Sequence, residues 1–454
     1  MENFGIITLL PALIVIVFAV LTRKTFESLL LGAFACCVIS AGWGCVKAFV
    51  NLISGAVSDG DVMWIVLVSM LFGSLIRLLR ESRATWAFSS IARKYATTGK
   101  RSLMITWVMG IVLFIDDYLS IMTTSNTMME TCDEKKVPRE MLAYVLDSTS
   151  APVCVIIPIS AWVVYFSGIF KAQPETDYLG GGMAAYHSAM PWMFYAWICV
   201  IIVPLVVLGI IPRLGAMKKA WKRTEEKDMP YSEYSKKFNG SIDVVDNGSK
   251  ITVWHFLLPI GVVIGVTIVV GDILYGVLGG VIACAMLFLP TKVMSFDHFS
   301  DSVIGGMQDM MWMAVLIVSG ATLRTGANEI GMPQYVIEAV SPYMSAALLP
   351  VITFITVAAL AFLTSGIWAL PAVITPIVLP LAAAVGTDIP MTMGAIISGA
   401  VFGAHACFYA DVTVLTSAAA KIDNMEHCFT QLPYCLMGGT LAALGFVAAG
   451  FLMV

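Results

Sequence analysis

Long apolar runs alternate with short polar breaks along this chain, and run length is the first structural signal. Runs near 4–21, 28–48, 60–79, 190–212, 251–270, 272–290, 302–323 and 430–453 each come close to the roughly twenty residues an α-helix needs to cross a bilayer core. The first run carries no small-residue cleavage site and further spans follow, so it predicts an anchor rather than a removed signal. Two regions, 102–170 and 345–423, are too long for one crossing and too interrupted for two. Both hold Pro, Gly, Asp and Ser/Thr inside apolar sequence. The one long polar stretch, 213–250, has turn signals at Asn239–Gly240 and Asn247–Gly248.

Basic residues orient these spans. Lys and Arg gather at Arg23–Lys24, between Arg77 and Arg101, at Lys135, Lys136 and Arg139, and from Arg213 to Lys250. Placing those segments in the cytoplasm, with Lys292 and Lys421 on the same side, leaves only Lys47, Lys171 and Arg324 of the 26 basic residues outside. Arg101 and Lys135 then share a side, so about 102–131 is predicted to enter and return as a re-entrant hairpin. The segment of about 140–168 crosses outward despite Pro152 and Pro158, which predicts a broken helix. Backbone breaks at membrane depth persist only where protein or a wet cavity satisfies them.

Composition narrows the function classes. Of 454 residues, 59% are hydrophobic and 12% charged, with mean hydropathy +0.88. A soluble domain carries about 25% charged residues, so a soluble enzyme and a disordered chain are excluded. A net charge of −4 excludes a nucleic-acid binder. Cys36, Cys37, Cys45, Cys154, Cys199 and Cys284 sit inside apolar runs and read as small hydrophobes.

The two halves resemble each other. Met63-Trp64 leading to Gly73 and Arg77 parallels Met311-Trp312 leading to Gly320 and Arg324, and Val137-Pro138 parallels Ile389-Pro390. The offset stays near 250 residues. Arg77 ends its helix inside and Arg324 outside, which predicts inverted repeats. The expected fold is an all-α polytopic membrane protein. Residues 1–212 form a first repeat of about five transmembrane helices plus one hairpin. Residues 213–250 form a cytoplasmic linker. Residues 251–454 form the second repeat, with a hairpin at about 345–386 and a broken helix at about 393–423. Paired discontinuous helices in inverted repeats point to secondary transport, with the site where the breaks meet near the midplane.

Ionisable side chains at membrane depth are functional candidates. Asp116 and Asp117 lie within the first hairpin, and neighbours on a helix diverge by about 100°, so one is expected to bind a cation while the other caps a helix. Asp147, Ser148, Thr149 and Ser150 precede Pro152 and supply oxygen ligands suited to Na⁺. Thr364, Ser365 and Gly366 take the place of the Asp pair in the second hairpin. His405, Asp411 and Thr413 follow in the second broken region, Asp411 as a buried carboxylate and His405 as a proton-sensitive group. Asp61 and Asp309 lie nearer helix ends and read as interfacial.

At these residues the chain resembles the NhaC-type sodium/proton antiporter family of the ion transporter superfamily. The likeness is strongest in Phe114-Ile115-Asp116-Asp117-Tyr118, in Leu142 to Val153, and in Pro158-Ile159-Ser160-Ala161-Trp162. Thr364-Ser365-Gly366-Ile367-Trp368 resembles a family element but places Ile between Gly and Trp. In the run Phe402 to Thr413, Ala404 replaces a family Asp and Cys407-Phe408 replaces Ser-Pro, whereas His405, Asp411 and Thr413 stay. Phe408 and Tyr409 suggest a roomier, aromatic-lined pocket for an organic substrate. The resemblance implies Na⁺ and/or H⁺ as coupling ions without another cofactor, a Na⁺ site at Asp117, Ser148, Thr149 and Asp411, and a homodimer with elevator-type movement. It also implies a bacterial plasma membrane.

Two classes compete with ion-coupled transport. An intramembrane aspartyl enzyme would need a Gly-x-Gly-Asp element, which is absent. A channel would need a continuous polar stripe, whereas the polar residues concentrate at two breaks. Within transport, Na⁺/H⁺ antiport stands ahead of cation-coupled carriage of an amino acid or small carboxylate.

Overall fold

A computed structural model describes residues 4–22, 25–84, 95–238, 251–270, 272–340, 344–364, 367–408 and 410–453. Among them the regular elements are all helices. The first half contains α1 (Leu10–Thr22), α2 (Thr25–Ala41), α3 (Cys45–Ser58), α4 (Gly60–Glu81), α5 (Gly99–Val112), α6 (Asp117–Glu134), α7 (Arg139–Ser148), α8 (Ala151–Ile156), α9 (Ala161–Lys171), α10 (Gly182–Ala189) and α11 (Phe194–Leu208). The linker carries α12 (Gly215–Lys227). The second half contains α13 (Trp254–Val270), α14 (Ile273–Phe288), α15 (Phe296–Asp309), α16 (Met311–Glu329), α17 (Met332–Val340), α18 (Leu349–Thr364), α19 (Ala369–Val385), α20 (Ile389–Ala406), α21 (Asp411–Ala419) and α22 (Asn424–Met453).

Polar residues set the helix starts, because the first backbone N–H groups of a helix lack internal acceptors. Thr98 caps α5, Asp116 caps α6, Ser160 caps α9 and Asp388 caps α20 through their side-chain oxygens. α5 ends at Val112 and α6 starts at Asp117, while α18 ends at Thr364 and α19 starts at Ala369. The segments Arg139–Ile156 and Ala161–Lys171 bend by 43°.

Three expectations need correction. The run 28–48 is not one uninterrupted helix: the chain turns at Gly42–Gly44, where Gly42 has φ +51°, and the Phe34 and Phe49 rings meet at 5.5 Å. The run 190–212 is the second arm of a pair, Gly182–Trp192 and Phe194–Leu208, bent by 51°. The linker is not wholly loop. Met217, Ala220 and Thr224 are buried along one face of α12, an i, i+3, i+7 stripe that packing stabilises. The Asn-Gly turns of the linker, together with Ser365, Gly366 and Tyr409, lie outside the described residues.

Packing ties the halves together. α4 crosses α15 with backbones in contact, since a Cβ on Gly73 would lie 2.1 Å from the Gly306 carbonyl oxygen, and Ser74 Oγ donates to the Val303 carbonyl at 2.8 Å. Small residues permit such approach between helices that gain little hydrophobic energy from each other in lipid. The main core gathers Trp162, Phe166 and Tyr186 of the first half against Val357, Ile396 and Phe446 of the second. At the linker, Arg223 grips Glu140 with two bonds of 2.8 and 2.9 Å. Ser232 and Ser235 both donate to Glu426 at 2.7 Å. The linker thus fastens the bases of α7 and α22.

Candidate ion-binding site

The first cluster forms where α6 and α21 begin. Asp116 Oδ1 accepts from the Leu119 N–H at 2.8 Å, so its carboxylate is committed to capping. Asp117, one residue on and 2% exposed, accepts from the Trp162 indole N–H at 3.1 Å and from the Tyr118 backbone N–H at 3.0 Å. The Tyr118 hydroxyl donates to Asp411 Oδ2. Asp116 thus caps α6, whereas Asp117 faces the Trp162 indole. Asp411 departs from expectation, for it is exposed rather than buried. As the first residue of α21 its carboxylate turns back to its neighbouring Val412 N–H at 2.9 Å, with one oxygen left for Tyr118. Two helix N-termini meet here, each with an Asp in its first turn.

The second cluster forms where α7 and α20 end. Ser148 Oγ lies 2.9 Å from His405 Nε2, joining last-turn residues of two half-helices. His405 Nδ1 faces the Tyr195 hydroxyl at 2.8 Å and the Cys199 and Cys435 thiols at 3.3 and 3.5 Å. Three donors around Nδ1 assign the ring proton to Nε2, which donates to Ser148. Asp147 Oδ2 accepts from Gln431 Nε2 at 2.7 Å and lies 3.1 Å from His427 Nε2. The Gln431 amide also donates to the His405 carbonyl at 2.5 Å. Asp147, His405, His427 and Gln431 are all at most 1% exposed.

Thr149 and Ser150 spend their hydroxyls on the broken end of α7, bonding the Val145 and Asp147 carbonyls at 2.7 Å each. Thr413 Oγ1 donates to the Ala404 carbonyl at 3.1 Å and so latches α21 onto α20. The residues expected to share one ion therefore divide, Asp117 and Asp411 in one cluster and Ser148 and Thr149 in the other. Among the described residues no side-chain hydrogen bond joins the two. Thr364 ends α18, and Ser365 and Gly366 lie outside the described residues. Phe408 packs on Phe362 and Phe429, with ring centres 5.7 and 5.5 Å away.

Sequence inspection overlooked Tyr195, His427, Gln431 and Cys435. The last three carried a signal, because polar side chains repeat every fourth residue on one face of an otherwise apolar helix.

A family model described as the Na⁺/H⁺ antiporter family matches residues 153–451. An uncharacterized protein of Haemophilus influenzae is 28% identical over 489 residues, covering 98% of this chain and 91% of that protein. The Alcanivorax borkumensis YdaH transporter has a similar fold, with a TM-score of 0.61 at 10% identity over 91% of this chain and 90% of its own. Neisseria gonorrhoeae MtrF, from a class of antimetabolite efflux pumps, gives 0.53 at 11% identity over 90% and 85%. The chain belongs to the Na⁺/H⁺ antiporter family, and it is a secondary transporter of the membrane rather than an enzyme.

Proposed function

We propose that this protein exchanges Na⁺ for H⁺ by alternating access. One observation carries the proposal: the breaks of α7 and α20, 257 residues apart in sequence, meet directly through Ser148 and His405. Helix C-termini present carbonyl oxygens with partial negative charge, the ends that hold coupling cations in transporters with broken helices. Asp117 is the carboxylate of the first cluster not consumed by capping, and it would bind the ion or proton together with Asp411. Asp147, Ser148, Thr149 and His405 would serve the second cluster.

The proposed architecture has two inverted repeats, 1–212 and 251–454, joined by a cytoplasmic linker. Matching helices support it: α5 and α6 recur as α18 and α19, and α7–α9 as α20–α21, each about 250 residues later. Movement of a transport domain against a scaffold within a homodimer of the bacterial plasma membrane belongs to the same proposal, and rests on resemblance.

Arg324 favours a second reading, carriage of a small carboxylate. It lines a cavity of about 50 Å³ with Tyr165, Gln173 and Gly320, and donates to the Ala172 carbonyl. That volume is far below the several hundred Å³ of an organic-ligand pocket, which leaves the inorganic ion ahead. The test is Asp117→Asn in proteoliposomes. Na⁺-dependent flux should vanish while expression persists; flux like that of the unmodified protein would remove Asp117 from the mechanism.

A further inference from the structure

Two sets of helices meet along a seam near Arg324. On one side, α4 packs on α15 and α16. Gly73 and Gly306 touch backbone to backbone there, Ser74 bonds the Val303 carbonyl, and Arg77 holds Asp309 at 3.4 Å. On the other side lie α9, the second arm of the first broken helix, and α19. Val62, Gly320 and Ala321 of the first set share the wall of one cavity with Gly168, Ile169 and Ala372 of the second. Apolar contacts are non-directional, so a polar bond across the seam sets its register. Arg324, near the end of α16, makes such a bond. It donates to the carbonyl of Ala172, the C-cap residue of α9. The last carbonyls of a helix lack internal donors and carry partial negative charge, which suits a guanidinium.

The counterpart of Arg324 in the first half is Arg77, about 250 residues earlier, and the counterpart of the α9 end is the α21 end, whose C-cap residue is Ala420. Arg77 bonds within its own set of helices, to Glu81 at 2.7 Å and Asp309 at 3.4 Å. Two arginines at matching positions therefore act differently in one structure, one gripping a helix end across the seam and the other turned onto its own side. Inverted repeats that alternate access exchange such arrangements between the two faces of the membrane. We propose that Arg324 is a latch that closes the outer face, and that it releases α9 as Arg77 takes the end of α21 at the inner face. This inference rests on the alternating access proposed above and adds to it the residues that hold each closed state.

Accessibility of the seam tests the latch in the full-length protein. In an Ala321→Cys background, an impermeant maleimide added outside right-side-out vesicles should label slowly. Arg324→Gln should speed labelling about tenfold or more, the shift expected when a hydrogen bond from a charged group is lost. Arg324→Lys keeps a cation at the α9 end and should restore slow labelling. Arg77→Gln should act in the opposite sense and slow labelling below that of the parent, an outcome that a simple packing defect does not produce. The protein without Ala321→Cys sets the background of the native thiols, and monodisperse elution checks folding. A folded Arg324→Gln that labels no faster than its parent overturns the latch. If Arg324→Gln does not fold, Arg77→Gln decides, and labelling that is unchanged or faster overturns the exchange of grips. Labelling needs no ion flux, so absence of Na⁺/H⁺ exchange in proteoliposomes would remove that function without deciding the latch.

Discussion

Adjacent aspartates with opposite duties are the clearest feature at the scale of single residues. Asp116 closes the α6 N-terminus through the Leu119 N–H, and Asp117 faces Trp162 from a buried position. Asn caps a helix about as well as Asp, whereas Ala costs about 1 kcal/mol. Asp116→Asn should therefore melt near the unmodified protein and keep transport, and Asp116→Ala should lose about 1 kcal/mol of stability. Thermal unfolding in detergent, read beside flux, checks both; loss of transport in Asp116→Asn would move the ion role to Asp116. The sequence made a difference between the two legible because adjacent helical positions diverge. It could not reveal that Asp411 is exposed, since the rotation of a short helix depends on partners such as Tyr118 that are distant in sequence. His427 and Gln431 escaped for the opposite reason. Their polar stripe lies within a thirty-residue helix whose average character is apolar.

Among the elements, the interruptions between α5 and α6 and between α7 and α9 were foreseeable because Pro, Asp and Ser/Thr break apolar runs there. Helix α12 was not, because its buried stripe is only three residues long and most of its remaining positions are charged. It matters through Arg223, whose guanidinium holds Glu140 with two bonds. Removing one partner of a buried ion pair leaves an uncompensated charge, which costs about 3–5 kcal/mol. Arg223→Ala should destabilise by that order, and adding Glu140→Gln should recover part of the loss; an unchanged melting temperature for Arg223→Ala would show that the linker is not a fastening. The side of the membrane is testable on the same element. Glu233 is exposed, and Glu233→Cys should react with a membrane-impermeant maleimide only after cells are permeabilised. Rapid labelling of intact cells would reverse the orientation deduced from the basic residues.

At the scale of the whole molecule, the scarcity of charge has a structural counterpart. Nearly all basic residues lie in the segments assigned to the cytoplasm, and the carboxylates left at depth gather where helices begin or end. Asp117 and Asp411 stand at two helix N-termini, Asp147 beside two C-termini. The arrangement gives one molecule two different places, one at helix N-termini and one at helix C-termini. Membership of the antiporter family agrees with a membrane transporter of this kind. The most direct measurement places the purified protein in liposomes with an imposed, acidic-inside pH gradient and a pH-sensitive dye. Adding Na⁺ or Li⁺ outside should collapse the gradient, and Asp117→Asn should leave it standing. A gradient that ignores both cations but collapses on addition of a small organic acid or amino acid would contradict Na⁺/H⁺ exchange and install the carboxylate reading in its place.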